Sequence, residues 1–189
     1  MHEPIIRNAS LADAPRLLEI YAHYVLNTAI TFEIAVPSLS EFEELMRGIM
    51  RRYPSLVIEE QGQVLGYDYA GVFKARAAYD WACELTVYLD HTAQGRGLGR
   101  QIYAALEAAL GKMGMLNLYA CISYPDVEDE YLTRNSAEFH AHLGFTTVGE
   151  FRQCGCKFGR WYSMIWMEKI IGEHCPNPAP VCPWPEITN

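Results

Sequence analysis

The chain has 189 residues, half of them hydrophobic, and a formal net charge of −8 at pH 7. This is enough apolar sequence for one domain with a sizeable core, and the acidic balance argues against nucleic-acid binding, which needs a basic face. No apolar run is long enough for a transmembrane helix, and the N-terminus lacks the basic and apolar regions of a signal peptide. We therefore expect a cytoplasmic protein with no membrane partner.

Hydrophobic periodicity predicts two helices and a hairpin in the first half of the chain. Ser10 and Asp13 give the Ser-x-x-acidic pattern that starts a helix, and Pro54 stops the second helix. The predicted elements of this half are a strand at 5–8, a helix that starts at 10–13 and ends at 27–28, a helix from 38 or 40 to 50, and a hairpin of strands at 55–60 and 64–73.

The second half alternates strands with helices. Its predicted elements are a loop at 74–81, a central strand at 83–89, a glycine-rich turn, a helix from 98 to 110, a strand at 115–123, an acidic segment at 124–132, a short helix at 135–143, and strands at 146–151 and 161–169. Because strand, helix and strand follow one another, the central pair should be parallel with a right-handed crossover. We expect a single-domain α/β fold with a mixed, centrally parallel sheet flanked by helices.

The last segment, 172–189, contains five of the ten prolines. Proline lacks a backbone N–H, so we expect neither helix nor central strand there. Trp184 is expected to pack onto the domain or onto a second subunit. The predicted organisation is therefore one domain over 1–171 and a proline-rich tail over 172–189.

The turn between the central strand and the next helix is rich in glycine. The first N–H groups of a helix lack intrahelical partners and carry the positive end of its dipole, so a polyanion can bind there. Gly95, Gly97 and Gly99 lack Cβ, which lets the backbone approach phosphate oxygens closely. Arg96 and Arg100 add positive charge. The glycine spacing fits neither a dinucleotide fingerprint nor a P-loop.

The pattern Gln94-x-x-Gly97-x-Gly99 resembles the acetyl-CoA pyrophosphate loop of the GNAT superfamily of N-acetyltransferases. The order of elements over 4–171 resembles the whole GNAT fold. A closer resemblance, to the phosphinothricin and methionine sulfone or sulfoximine N-acetyltransferase branch, lies in the segments 28–33, 73–79, 84–89, 140–145 and 158–161. It implies acetyl-CoA as cosubstrate, the α-amino group of a small amino acid or analogue as acceptor, and a homodimer.

The same resemblance implies where the cofactor binds: at the glycine loop, at strand backbone exposed by splaying of the central pair, and at the short helix. The residues expected to bind it are Val87, Leu89, Gln94, Gly95, Arg96, Gly97, Leu98, Gly99, Arg100, Asn135 and Ser136. The chain departs from the family pattern at Thr133, where we expect an Asn. We therefore carry that cofactor contact to Asn135.

Two residues are candidates for proton transfer. Glu84, at the start of the central strand, is expected to accept a proton from the attacking amine; the alternative is a solvated or arginine-paired carboxylate. His140 stands where many family members have a tyrosine that protonates the leaving thiolate, and it could equally be a packed histidine. Tyr88 and Tyr124 are reserve candidates for the acid.

The acceptor pocket is expected to include one arginine and three shaping residues. Arg76 could pair with a carboxylate or phosphinate through its planar fork, or be an exposed loop charge. Phe32, Tyr79 and Thr86 are expected to shape the pocket.

Six cysteines are present, and Cys83 and Cys121 are expected to be buried strand residues. The other four lack the Cys-x-x-Cys spacing of structural zinc sites, so we expect no metal.

Two alternative functions remain open on the sequence. The same fold could acetylate another amine, such as a polyamine, an aminoglycoside or a protein N-terminus. A non-catalytic module that binds acyl-CoA for regulation is the alternative of a different class.

Overall fold

A computed structural model describes residues 3–188. Its strands are β1 (Ile5–Asn8), β2 (Ser55–Glu60), β3 (Gln63–Val72), β4 (Ala82–Leu89), β5 (Asn117–Tyr124), β6 (Thr146–Lys157) and β7 (Arg160–Ile170). Its helices are α1 (Ala14–Asn27), α2 (Leu39–Met50), α3 (Leu98–Met113), α4 (Asn135–His142) and α5 (Trp184–Thr188). The strands form one sheet in the order β1-β2-β3-β4-β5-β7-β6, in which β4 and β5 are parallel and the other described pairs antiparallel. The predicted mixed sheet is confirmed.

The first two helices begin at the capping signals in the sequence. The backbone N–H of Ser10 donates to the Asp13 carboxylate (2.8 Å), and a short 3-10 turn then leads into α1. At α2, Ser38 is the cap: its N–H donates to Glu41 (2.8 Å) and its hydroxyl accepts from the Glu41 N–H (3.3 Å). This reciprocal pair satisfies two N–H groups that would otherwise lack partners, so Ser38 rather than Ser40 starts the helix.

Two apolar cores cover the two faces of the sheet. Helices α1 and α2 pack on one face, where Leu17, Phe42 and Tyr67 are buried together. Helix α3 packs on the other face, where Ile102 and Leu118 belong to the larger core. Because side chains alternate along a strand, β4 sends every second side chain towards each core.

Strands β4 and β5 separate part-way along their length. Their pairing is confined to 82–84 with 117–119, although β4 stays paired with β3 to Leu89 and β5 with β7 to Tyr124. The Asp90 N–H donates to the Leu65 carbonyl (2.8 Å). Because the backbone groups of successive strand residues point to alternate sides, this bond fixes which β4 residues face β3 and which face β5. Residues 85, 87 and 89 therefore turn their N–H and C=O groups towards the opening between the strands.

Strand β6 is longer than the predicted 146–151 and continues to Lys157. Its polar second half lacks the alternation of a strand, and pairing with β7 holds it in place across two register shifts. The sequence could not reveal this, because the pairing comes from a distant partner strand.

The tail also differs from the prediction. Residues 184–188 form α5, where we expected no helix. Pro185 is compatible with it because the first helical turn needs no intrahelical N–H donor. The Trp184 indole N–H donates to Asn8 (3.0 Å), and the ring packs against the larger core. The tryptophan thus packs onto its own domain.

No helix among residues 3–188 is long and apolar enough to cross a membrane.

One carboxyl group is buried without a partner. Asp68 on β3 is 0% exposed, and neither of its oxygens has a hydrogen-bond partner among residues 3–188; the hydroxyl of Tyr103, close enough to interact with Asp68, likewise has none there. Burial raises the pKa of Asp68 well above its usual value. The folded protein therefore keeps this carboxyl protonated at a pH at which the unfolded chain releases the proton.

We expect the variant Asp68→Asn to be more stable than the native protein at pH 8, and the difference to shrink towards pH 4. The raised pKa makes the native protein lose stability as pH rises above the unfolded pKa, by about 1.4 kcal/mol for each pH unit up to the folded pKa, and asparagine does not titrate. Urea unfolding at several pH values measures this. The control Glu173→Gln, at an exposed position, should keep the native pH slope. A native slope in Asp68→Asn would contradict the assignment.

Candidate active site

The glycine loop presents a helix end with free N–H groups. Gly95 and Gly97 have φ values of 73° and 77°, in the left-handed region that favours glycine. Gly97 directly precedes α3, and no side chain caps this helix. The first N–H groups of α3 therefore point out of the loop without intrahelical partners, at the positive end of the dipole. This arrangement suits a phosphate group.

Gly99 is needed for a different reason from the other two glycines. A Cβ at this position would lie 3.3 Å from the Phe139 ring and 3.4 Å from the Leu89 side chain. Its neighbour Leu98 has a buried side chain, so only the Leu98 backbone is available to a ligand. Gly99 thus allows α3 to pack closely against α4 and β4.

The two arginines of the loop point away from the helix end. Arg96 makes a salt bridge with Glu60 (2.8 Å). Arg100 lines a surface depression with His142 and Lys169, on another side of α3. Neither lines the groove described next, so their cofactor role stays a prediction.

A groove of about 500 Å³ leads from the glycine loop into the opening between β4 and β5. We call it the long groove. The predicted cofactor residues that line it are Val87, Leu89, Gln94, Gly95, Gly99, Asn135 and Ser136. Thr133, which replaces the expected asparagine, lines it as well.

Tyr24 of α1 also lines the long groove, and the sequence analysis did not identify it. Its hydroxyl donates to the Leu89 carbonyl (2.5 Å) and accepts from the Gln94 amide (3.1 Å). The Leu89 carbonyl is therefore already occupied, although its backbone was expected to be free for a cofactor. Tyr24 lies in the apolar stripe of a helix, and such a position in the sequence indicates only core packing.

Two histidines flank the same groove. The rings of His23 and His91 stack with centroids 4.1 Å apart and planes 6° apart. Burial and the neighbouring His91 lower the pKa of His23. Because the two lie 68 positions apart in sequence, no local pattern could have indicated the pair.

A second cavity, of about 270 Å³, lies further into the opening, and we call it the central cavity. It shares Ile30, Val87 and Ser136 with the long groove, so the two spaces adjoin. The predicted site residues that line it are Phe32, Glu84, Thr86, Val87, Ser136 and His140. The structure thus brings the proposed base, the proposed acid and two proposed acceptor residues to one place.

Glu84 is half-buried in the wall of the central cavity. Burial raises the pKa of its carboxyl group, and the charge of Lys74 partly offsets this. It makes no salt bridge with any residue in the described part of the chain. Glu84 is therefore a desolvated carboxylate without an arginine partner, which suits a proton acceptor.

His140 is 5% exposed, and its orientation is fixed by α4. Its Nδ1 lies 2.7 Å from the Ser136 carbonyl oxygen, and a carbonyl only accepts, so Nδ1 carries the proton. Burial lowers the pKa of the ring, which is therefore neutral at neutral pH with a lone pair at Nε2. In this state Nε2 is available to accept a proton, and the expected role of His140 as the acid stays a prediction.

The two reserve tyrosines lie in different places. Tyr88 lines the central cavity and is half-buried, and desolvation raises its pKa well above the usual value. Tyr124 lies under the Arg134 guanidinium, 5.3 Å from it, and outside the central cavity. Of the two, Tyr88 therefore has access to a bound substrate.

Two predicted acceptor residues lie outside the central cavity. Arg76 is on the exposed loop after β3, and Tyr79, 41% exposed, packs its edge on Phe73 at 5.9 Å. Their role in acceptor binding stays a prediction.

Lys74, on the same loop, is the cation that influences Glu84. Its ammonium lies 5.0 Å from the Phe73 ring centroid and 5.6 Å from that of Trp166. Phe73 stacks on Tyr119 (4.2 Å), which is the strand neighbour of Glu84. Lys74 makes no salt bridge within residues 3–188.

The cysteines differ from expectation at one position. Cys83 is buried as predicted, but Cys121 is exposed, because its face of β5 lines the open central cavity. Desolvation raises the pKa of the Cys121 thiol to about 11, so it is protonated and a poor nucleophile at neutral pH. Among the described residues, no group of three or more His, Cys, Asp or Glu is arranged to hold a metal ion.

One wall of the central cavity depends on a glycine. A Cβ at Gly155 of β6 would lie 2.3 Å from the Phe32 ring. The ring therefore rests directly on the β6 backbone, and only glycine leaves room for it.

Known acetyltransferases are similar to this chain in sequence and in fold. A phosphinothricin N-acetyltransferase of Streptomyces viridochromogenes is 34% identical over 96% of this chain and 95% of its own. An L-methionine sulfoximine/L-methionine sulfone acetyltransferase of Salmonella typhimurium is 32% identical over 92% and 98%. The crystal structure of a GNAT superfamily phosphinothricin acetyltransferase from Sinorhizobium meliloti, in complex with AcCoA, is similar with a TM-score of 0.85, 31% identity and 94% coverage of each chain.

The family model described as an acetyltransferase (GNAT) domain matches residues 6–166. The fold and the resemblance expected from the sequence are both confirmed. The chain belongs to the GNAT family of acetyltransferases.

Proposed function

We propose that this protein transfers the acetyl group of acetyl-CoA to the α-amino group of a small amino acid or amino acid analogue. The observation that carries the proposal is the junction of the long groove with the central cavity. The groove begins at the uncapped N-terminus of α3, where a pyrophosphate is stabilised, and it reaches the cavity that contains Glu84. The names of the relatives support the same class of acceptor.

Acetyl-CoA lies along the long groove in this proposal. Its pyrophosphate accepts from N–H groups at the start of α3, and its pantetheine arm follows the strand edge that β5 leaves free. The thioester then lies near Val87 and Ser136, which line both spaces. The Val87 N–H faces the opening and is positioned to donate to the thioester carbonyl as negative charge develops there.

The acceptor enters the central cavity as an ammonium ion and must lose a proton before it attacks. Glu84 accepts that proton, directly or through water. The amine nitrogen then forms a bond to the carbonyl carbon, the C–S bond breaks, and the second proton of the nitrogen passes to the departing sulfur. One proton per turnover returns from Glu84 to solvent.

His140 takes part in this proposal as a proton relay. Its Nε2 lone pair accepts the second proton of the nitrogen, and the resulting imidazolium gives that proton to the thiolate. Its lowered pKa keeps it in the accepting form between turnovers.

Lys74 is the nearer candidate for the acceptor carboxylate. Its ammonium is held over two aromatic rings next to Glu84 and has no carboxylate partner among the described residues. Arg76, expected from the sequence, lies two residues further along the same exposed loop and makes no such contact with Phe73 or Trp166 among the described residues. An amino acid whose amine meets Glu84 would then place its carboxylate towards Lys74.

We also propose a cytoplasmic homodimer. All six cysteines are free, which agrees with a reducing compartment. The outer edge of β6 and the hairpin that follows it expose Phe151 (53%) and Trp161 (63%). An unpaired strand edge with exposed aromatic side chains suits contact with a second copy.

We expect Glu84→Gln to lower kcat about 100-fold at pH 7 and to leave acetyl-CoA affinity unchanged. Glutamine cannot take up the amine proton, and general base catalysis is worth on the order of 100-fold or more. Thiol release from acetyl-CoA with methionine sulfone measures turnover, and calorimetry measures affinity. Turnover of the variant should recover as pH rises, because the free amine then forms in solution.

The control Glu138→Gln, on the exposed side of α4, should keep native turnover. If the Glu84→Gln variant has the native kcat, Glu84 is not the proton acceptor in the reaction. Acetyl-CoA binding by the native protein without turnover of any amine would support a regulatory module instead.

We expect Lys74→Met to raise the KM for the amino acid about tenfold, and Arg76→Met to raise it less. Loss of one charge-assisted hydrogen bond to a carboxylate is worth about 1.4 kcal/mol, which is tenfold in affinity. With the corresponding amino acid amide, which lacks the carboxylate, native protein and Lys74→Met should be alike. A larger increase in KM for Arg76→Met than for Lys74→Met would show that Arg76, and not Lys74, contacts the acceptor carboxylate.

A further inference from the structure

A third cavity, which the proposed reaction does not use, lies on the sheet face covered by α1 and α2. Its volume is about 200 Å³, and we call it the aromatic cavity. It is lined by five aromatic residues, by the carboxylates of Glu33 and Glu41, and by three small or apolar residues. No Lys, Arg or His is among the described residues that line it.

The aromatic rings come from three directions. Tyr88 of β4 meets Tyr21 of α1 with centroids 5.1 Å apart and planes at 61°, and it meets Tyr67 of β3 at 5.7 Å. Phe42 of α2 stands at 87° to Tyr67, at 6.3 Å. Two further pairs, Tyr21 with Phe42 and Tyr67 with Tyr69, are stacked at 6.2 and 6.3 Å, so the lining presents both ring faces and ring edges.

The phenol group of Tyr21 is held by a hydrogen bond outside the lining of the aromatic cavity. The Tyr21 hydroxyl and the Thr31 hydroxyl lie 3.1 Å apart, and Thr31 lines the central cavity instead. Tyr21 therefore offers an occupant of the aromatic cavity its electron-rich ring rather than its hydroxyl.

The formal charges that residues 3–188 contribute to the lining are all negative. Glu33 is exposed at the rim. Glu41 accepts hydrogen bonds from the Ser38 backbone and hydroxyl, which lowers its pKa and keeps it ionised. Aromatic faces and carboxylates together favour a desolvated organic cation and disfavour an anion.

The aromatic cavity adjoins the central cavity through one residue, Tyr88, which lines both. On the same face of β4, Thr86 lies opposite Tyr69, two residues from Glu84. Two residues of strand span about 7 Å. A side chain of the length found in lysine therefore spans the distance from an amine at Glu84 to the level of Thr86 and its strand neighbour Tyr69, which lines the near side of the aromatic cavity.

We propose that the aromatic cavity binds the alkylammonium end of a cationic side chain, so that the acceptor is a basic amino acid acetylated at its α-amino group. This inference rests on the proposed function for the α-amine and the carboxylate and adds the side-chain class. It predicts that this protein prefers acceptors with a cationic side chain over acceptors with an anionic side chain, such as a phosphinate.

The test uses three amino acids of similar length that differ at the end of the side chain: lysine (ammonium), norleucine (methyl) and 2-aminoadipate (carboxylate). We expect the KM of lysine to be at least tenfold below that of norleucine, and 2-aminoadipate to have the highest KM. Mass spectrometry of the product should find acetyl-lysine modified at Nα. Equal KM values for the three, or acetylation at Nε, would overturn the proposal.

Variants of Tyr21 link the preference to the cavity. Tyr21→Leu removes a ring and should abolish the lysine advantage while turnover of norleucine stays native. Tyr21→Phe keeps the ring and should keep the advantage, and Glu33→Gln should reduce it severalfold. Thermal melting verifies that each variant is folded. An unchanged lysine advantage in Tyr21→Leu would contradict the proposal.

A binding measurement keeps the inference separate from the reaction. Tetramethylammonium should bind the native protein and Tyr21→Phe in calorimetry, and Tyr21→Leu should not bind it. If no amino acid is acetylated but this pattern holds, the cation site stands and the proposed function fails. The opposite pattern has two parts: lysine is acetylated no better than methionine sulfone or norleucine, and tetramethylammonium does not bind. In that case the proposed function stands and the cation site fails.

Discussion

The separation of β4 from β5 is the constraint on which the rest of the site depends. Each strand keeps its other neighbour, so the sheet stays intact while one row of β4 backbone groups lacks a strand partner. Unpaired backbone groups inside a protein are costly unless a ligand or water satisfies them. The glycine loop, α4 and the two adjoining cavities are arranged along this one opening, which joins phosphate binding at one end to Glu84 at the other.

The two faces of β4 have different roles in the site. Towards α3 its side chains are apolar and belong to the larger core, which holds the strand rigid. Towards α1 and α2 it carries Glu84, Thr86 and Tyr88, which face solvent-accessible cavities. Desolvation on this second face raises the pKa of Glu84, and no ion pair with a described residue opposes that shift. Further along the same face, Tyr88 belongs to the lining of the aromatic cavity. One strand therefore supplies both the rigid support and the chemistry.

Local patterns predicted the parts of the fold and site that depend on local physics. Capping signals, the period of β4 and the glycine turn placed α1, α2, α3 and the proposed phosphate site. What the sequence could not reveal depends on partners far along the chain: the Tyr24 bonds to Leu89 and Gln94, the Lys74 ammonium over Trp166, and the Ser136 carbonyl that fixes the His140 tautomer. Proline content gave a wrong prediction at α5, because proline is tolerated in a first helical turn.

The contact between Gly155 and Phe32 links an outer strand to substrate choice. Phe32 shapes the central cavity, and its ring lies where a side chain at position 155 would be. The size of the cavity is therefore set in part from β6, at the far edge of the sheet, by a residue that no bound amino acid needs to touch. A substitution at this edge would change the size of the central cavity and so the range of acceptors that fit in it. A second subunit bound at the same edge would affect the size of the cavity without entering it.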